Sequence, residues 1–199
     1  MTSLLDLPAR ALLDRFASPD PTPGGGSAAA LSGALGGALV AMVCAMPKTR
    51  TGDASERASL DIALGEARGA SEHLRALVDR DSAAYDAVVA AYRLPKGAEE
   101  EKAARKAAIA AALKTATDVP LGTALECLRV IRAAGEALQN GNPNAASDAK
   151  TGAALALAGL QGAVENVRAN AAQSEEASRA AAYLEEGLRR FAALGLAPG

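Results

Sequence analysis

Asp81 and Tyr85 stand one helical turn apart on the same face of a long helical stretch that also carries Asp79 and Asp86. A carboxylate carried into an apolar pocket on such a helix holds its proton more tightly and becomes an acid/base near neutral pH, whereas one left in solvent only decorates the surface. The neighbours Arg80 and Ser82 suit the exposed alternative. Asn166 and Asn170 are likewise one turn apart, in an Ala-rich helix. Their amides are costly if buried without partners, and they have the donors and acceptors to grip a heterocycle. Gly24, Gly25 and Gly26 lead into Ser27, a good helix cap, so free backbone N–H groups point out of a flexible loop as a cradle for an anion or polar ligand. Three successive glycines cost backbone entropy that a simple turn avoids. Asn142, Asn144, Ser147 and Asp148 form a second polar cluster entering an apolar helix, and each also reads as turn or cap chemistry. The only histidine, His73, lies between Glu72 and Arg75 on a charged face and reads as solvated. Cys44 and Cys127 are far apart with no second ligand nearby, so neither a zinc site nor a disulfide is expected, and no metal is called for.

The elements that position these groups all read as helices. Pro8 opens a short helix to about Ala17, and the Pro19–Pro23 cluster ends it. The uncharged run to Met46 follows, with Ala29, Gly33 and Gly37 as a small-residue strip for a helix crossing or a dimer seam. Asp53 and Glu56 have capping-box spacing ahead of a helix to about Tyr92, stopped by Leu94-Pro95-Lys96-Gly97. Glu99–Thr117 is the next helix, Pro120 breaks or kinks the chain, and Leu121–Gln139 continues it. Asn144 or Ser147 caps a helix to about Ala172, and Ser174 starts the last one. No stretch alternates as a strand does. The fold expected is an all-α, Ala-rich bundle of six to eight helices, one domain over residues 1–199.

With 21 Lys and Arg against 23 Asp and Glu, interspersed along the chain, no one-sided positive field exists for nucleic acid. Gly24–Met46 is long enough to span a bilayer, but Ala, Gly and Ser contribute little transfer energy and no aromatic belt flanks them, so a buried central helix is expected rather than a membrane span. Asp6, Arg10 and Asp14 interrupt the apolar residues near the start, against a secretion signal, and a cytoplasmic location follows.

Four segments in order resemble the cyclodeaminase/cyclohydrolase family, which includes the cyclodeaminase domain of formiminotransferase-cyclodeaminase and stand-alone methenyltetrahydrofolate cyclohydrolases. They are Thr22-Pro23-Gly24-Gly25-Gly26-Ser27-Ala28-Ala29-Ala30, Asp81-Ser82-Ala83-Ala84-Tyr85 leading to Arg93-Leu94-Pro95-Lys96, Glu100-Glu101-Lys102-Ala103-Ala104-Arg105 with Ala116-Thr117-Asp118-Val119-Pro120-Leu121, and Gly141-Asn142-Pro143-Asn144 through Ser147-Asp148-Ala149 to Asn166-Val167 and Asn170. The resemblance implies a homodimer acting on tetrahydrofolate with no further cofactor. It implies a site of Pro23, Gly24, Gly25, Gly26, Ser27, Asp81, Tyr85, Asn142, Ser147, Asp148, Asn166 and Asn170. The chain departs from the family at Met46-Pro47-Lys48-Thr49-Arg50-Thr51, where relatives carry a Gly-Lys-Lys-like run for which the folate glutamate tail is the expected partner. Without a formiminotransferase portion, the chain is expected to act alone.

Two reactions share one intermediate charge. In the deaminase reaction nitrogen 10 of 5-formiminotetrahydrofolate attacks the amidinium carbon and ammonia leaves. In the hydrolase reaction water opens the resulting methenyl cation to 10-formyltetrahydrofolate. A desolvated carboxylate stabilises that cation and moves the proton, a task for Asp81 or Asp148, with Asp81 favoured by the Tyr85 hydroxyl nearby. The reading leans to the deaminase, with the cyclohydrolase as alternative and a non-catalytic folate-binding or dimerisation module as a third.

Overall fold

The computed structural model describes residues 3–196. Six helices make up the bundle: α1 (Ala9–Ala17), α2 (Gly25–Ala45), α3 (Ala54–Tyr92), α4 (Glu99–Asn140), α5 (Ala146–Ala171) and α6 (Glu175–Ala193), with short 3-10 turns at Leu4–Asp6 and Pro143–Ala145. Among the described residues there is no strand, only an isolated bridge between Thr49 and Gly141.

The helix α2 is the axis of the bundle. It carries no charged residue and packs on α3, α4 and α5, antiparallel to α3 and α5, so that Ser27 reaches Val78 at one end and the Cys44 carbonyl meets Arg57 at the other. The closeness of this packing comes from missing side chains. A Cβ on Gly36 would stand 2.5 Å from the Gly152 carbonyl oxygen, and one on Gly159 would stand 2.6 Å from that of Ala29. Gly33 and Gly37 are buried against Leu74, Cys127, Ser71 and Val130, which makes the small-residue strip a crossing inside the chain. The outward stripe of α2 is a different set. Ala28, Leu31, Leu35, Ala38, Met42 and Ala45 recur at alternate steps of three and four, with Leu35 54 % and Met42 42 % exposed. By length and composition α2 could cross a membrane, yet its other faces are buried by protein.

Three local expectations are corrected. The cap of α2 is Gly24, not Ser27, whose side chain is buried in the first turn. The 3-10 turn before α5 is capped by Asn142, whose Oδ1 accepts from the Asn144 N–H, and the residue preceding α5 is Ala145, so neither Asn144 nor Ser147 caps it. Pro120 does not divide α4, which runs unbroken for 42 residues. Proline lacks the N–H that would bond the carbonyl four residues back, that of Ala116. Here Asn170 Nδ2 donates to the Ala116 oxygen at 2.6 Å, so the orphaned acceptor is satisfied from α5.

Candidate active site

At the N-terminal end of α2 four elements converge on a cleft of about 290 Å³. The loop Pro21–Gly24 and first turn of α2 form one wall, Asp81, Tyr85 and Val88 of α3 a second, Leu113 and Ala116 of α4 a third, and Asn166 and Asn170 of α5 the last. No Lys, Arg or His is among the residues lining it.

Asp81 is the one ionisable carboxylate of this lining, and the sequence dictates its seat. A Cβ on Gly26 would stand 2.5 Å from Asp81 Cγ and 2.7 Å from Oδ2, so only glycine leaves room for the carboxylate over the first turn of α2. Ser27 Oγ is the hinge of the arrangement. It lies 3.0 Å from Asp81 Oδ2, 2.8 Å from the Val78 carbonyl and 3.2 Å from Ser82 Oγ. With one proton to donate, the Ser27 hydroxyl chooses between the Val78 carbonyl and the carboxylate. Burial pushes the Asp81 carboxyl above its ordinary value, and hydrogen bonding from Ser27 opposes this without cancelling it. The positive end of α2 also faces the carboxylate, since its cap Gly24 brings no side chain to the first N–H groups.

The amides follow the same logic. Asn166 Nδ2 donates to the Gly162 carbonyl at 2.8 Å, and Asn170 Nδ2 to Ala116. In both, one of the two amide N–H donors is engaged by protein, which leaves the second N–H and the Oδ1 acceptor for a ligand. Tyr85 lines the cleft at 45 % exposure.

The structure brings together Gly24, Gly25, Gly26, Asp81, Tyr85, Asn166 and Asn170 around the cleft, with Ser27 behind Asp81, and sets Pro23 just beyond it in an adjoining groove, after a cis Thr22–Pro23 bond. It does not bring Asn142, Ser147 and Asp148 to that place. Asn166 stands eighteen positions after Asp148 on α5, about 27 Å along a helix. Asn142 sits instead against the Met46 sulfur, at the far end of α2. Ser147 is exposed and Asp148 half-buried there. Within one chain the two clusters are thus apart, because antiparallel α2 and α5 put the glycine loop and the start of α5 at opposite ends. His73 lies away from the cleft, 3.2 Å from Glu126.

Leu113, Ala116 and Val88 were not singled out in the sequence. A signal for Ala116 exists: it stands four residues before Pro120, where a free carbonyl must find a partner.

Comparison with known proteins follows the same lines. The family model described as formiminotransferase-cyclodeaminase matches residues 8–188. The chain is 45% identical over 174 residues to methenyltetrahydrofolate cyclohydrolase of Methylorubrum extorquens, covering 87% of this chain and 84% of that protein. It is 35% identical over 168 residues to formimidoyltransferase-cyclodeaminase of Rattus norvegicus, covering 84% of this chain and 31% of that longer protein. A crystal structure of formiminotetrahydrofolate cyclodeaminase from Thermotoga maritima superposes with a TM-score of 0.74 at 26% identity, covering 96% of this chain and 92% of that one. The chain belongs to the formiminotransferase-cyclodeaminase family and is an enzyme of folate one-carbon chemistry.

Proposed function

We propose that the protein is a methenyltetrahydrofolate cyclohydrolase in which Asp81 is the acid/base. The observation that carries the reading is the cleft itself: a single half-buried carboxylate, held by Ser27 and faced by no basic side chain. Such a lining favours a ligand that bears a delocalised positive charge, as the methenyl bridge does. Asp81, ionised, accepts a proton from water as its oxygen bonds to the methenyl carbon. The bond from that carbon to nitrogen 5 then breaks, Asp81 returns a proton to the nitrogen, and the hydroxyl proton leaves to solvent as the 10-formyl group forms. One proton is released per turnover. No metal or second cofactor takes part in these steps. The 45% identical cyclohydrolase, matched over most of both chains, supports the choice of water over ammonia loss.

The ammonia-releasing reaction is the second reading, favoured by the Thermotoga maritima cyclodeaminase, which this chain covers almost entirely. The same carboxylate would serve it by protonating the leaving ammonia. An absorbance assay of the methenyl chromophore separates them. The expected result is decay of added methenyltetrahydrofolate beyond the buffer rate. Growth of the chromophore from the formimino compound, without that decay, would assign the deaminase.

The working unit proposed is a homodimer in the cytoplasm. Its support is the uncharged outward stripe of α2 and the separation of the two polar clusters. A second copy packed antiparallel on that stripe would set its own Asn142–Asp148 turn opposite the first copy's glycine loop, since α2 is about 30 Å long and the clusters lie at its two ends.

A further inference from the structure

A groove of about 480 Å³ opens beside the cleft, and Thr22 lines both. Its floor is α3, through Ser82 and Ala83. Its outer wall is the N-terminal segment, through Leu4, Leu7 and Arg15. That segment is held by Leu4, which is buried in the core, and by Asp79, which accepts from Ser3 Oγ and, at 2.8 Å, from the Leu4 N–H. The helix α1 that carries Arg15 has no buried residue. Among the described residues Arg15 takes part in no ion pair, although Asp79 and Asp86 line the same groove. Each Asp79 oxygen already accepts one hydrogen bond, from Ser3 or Leu4, and Asp86 is exposed at the edge.

The cleft lies at the small end of the range for ligand sites, which begins at about 300 Å³. It has room for a bicyclic ring and its one-carbon bridge, so the remaining arm of a folate must leave it, and the neighbouring opening past Thr22 is this groove. The segment Met46–Thr51 lies at the opposite end of α2 and cannot meet that arm within one chain.

Resting on the folate reading above, we propose that this groove holds the aminobenzoyl-glutamate arm of the substrate, with Leu4, Leu7 and Pro23 against the aromatic ring and the Arg15 guanidinium on the glutamate carboxylates. Arg15 thereby determines specificity for the anionic tail and takes no part in the chemistry. The planar fork of arginine suits a carboxylate, and the apolar walls suit a ring.

The test compares methenyltetrahydrofolate with an analogue that ends at the aminobenzoate and lacks the glutamate. Arg15→Gln is expected to raise KM for the full substrate about ten-fold and leave kcat and the KM of the truncated analogue unchanged. Arg15→Lys is expected to recover part of the loss, which a merely structural role for an exposed side chain would not show. Equal effects on both substrates, or none on either, would overturn the proposal. Wild-type protein that turns over neither compound would instead overturn the cyclohydrolase reading beneath it.

Discussion

A single missing Cβ decides where the acid group sits. Gly26 and Asp81 are neighbours only because the first turn of α2 offers no side chain at that position. Gly26→Ala therefore forces the carboxylate off its Ser27 contact, and kcat/KM is expected to fall by about 10²-fold, the cost of misplacing a reacting group by roughly 1 Å. Gly65→Ala makes the control, since its Cβ would meet nothing within 4 Å and the residue does not line the cleft, and near-normal kinetics are expected. Comparable losses in both variants would remove the steric argument. At this scale the sequence was informative about residue types and their local spacing. Asp81, Tyr85 and the two asparagines were legible because one turn of helix fixes which side chains share a face. The distance of Asp148 from them within the single chain was not legible, because spacing along a helix does not say which ends of two helices coincide.

Helix boundaries show the same division. Strong stops such as Leu94-Pro95-Lys96-Gly97 and Asn140-Gly141-Asn142-Pro143 were read correctly, since each removes helical geometry locally. Pro120 was not, because the partner of the carbonyl that it leaves free comes from a residue fifty positions later in the chain. This gives the Asn170 side chain a structural task besides any contact with substrate. Asn170→Ala leaves the Ala116 carbonyl without that partner and is expected to cost about 1–2 kcal/mol in denaturant unfolding. Pro120→Ala restores a backbone donor for the same carbonyl. The double variant is accordingly expected to lose less than the sum of the two single variants. Strict additivity would show that the bond between Asn170 and Ala116 does not bridge the proline.

For the molecule as a whole, the separation of two polar clusters along α2 is the feature that asks for a second copy. If the antiparallel pair proposed here forms, Asp81→Asn and Asp148→Asn variants, each strongly impaired alone, will regain part of the activity when dissociated and mixed, because a hybrid dimer contains one intact site. Leu35→Glu should yield monomers by light scattering and lose turnover with its helix content intact. Recovery absent from the mixture, with activity already full in Asp148→Asn, would place the whole site in one chain. The bundle was legible from composition and helical periodicity. The outward stripe was not distinguished from the buried strip, because every face of α2 is apolar and only the packing of α3, α4 and α5 reveals which one is left over.

All of this depends on Asp81 acting as the proton carrier in a cleft free of basic groups. Its folded value lies above that of an unfolded aspartate, so the ionised form destabilises the fold, and this penalty is absent at low pH and grows as pH rises through the folded value. Asp81→Asn is thus expected to leave the thermal midpoint at neutral pH unchanged or higher. The decisive measurement is the pH profile of kcat/KM for methenyltetrahydrofolate in wild-type and Asp81→Asn protein. The account predicts a wild-type acid limb centred above the ordinary aspartate value, and a variant that is folded, lacks that limb and is slower by about 10²–10⁴-fold. A variant with wild-type rates and an unaltered profile would contradict it.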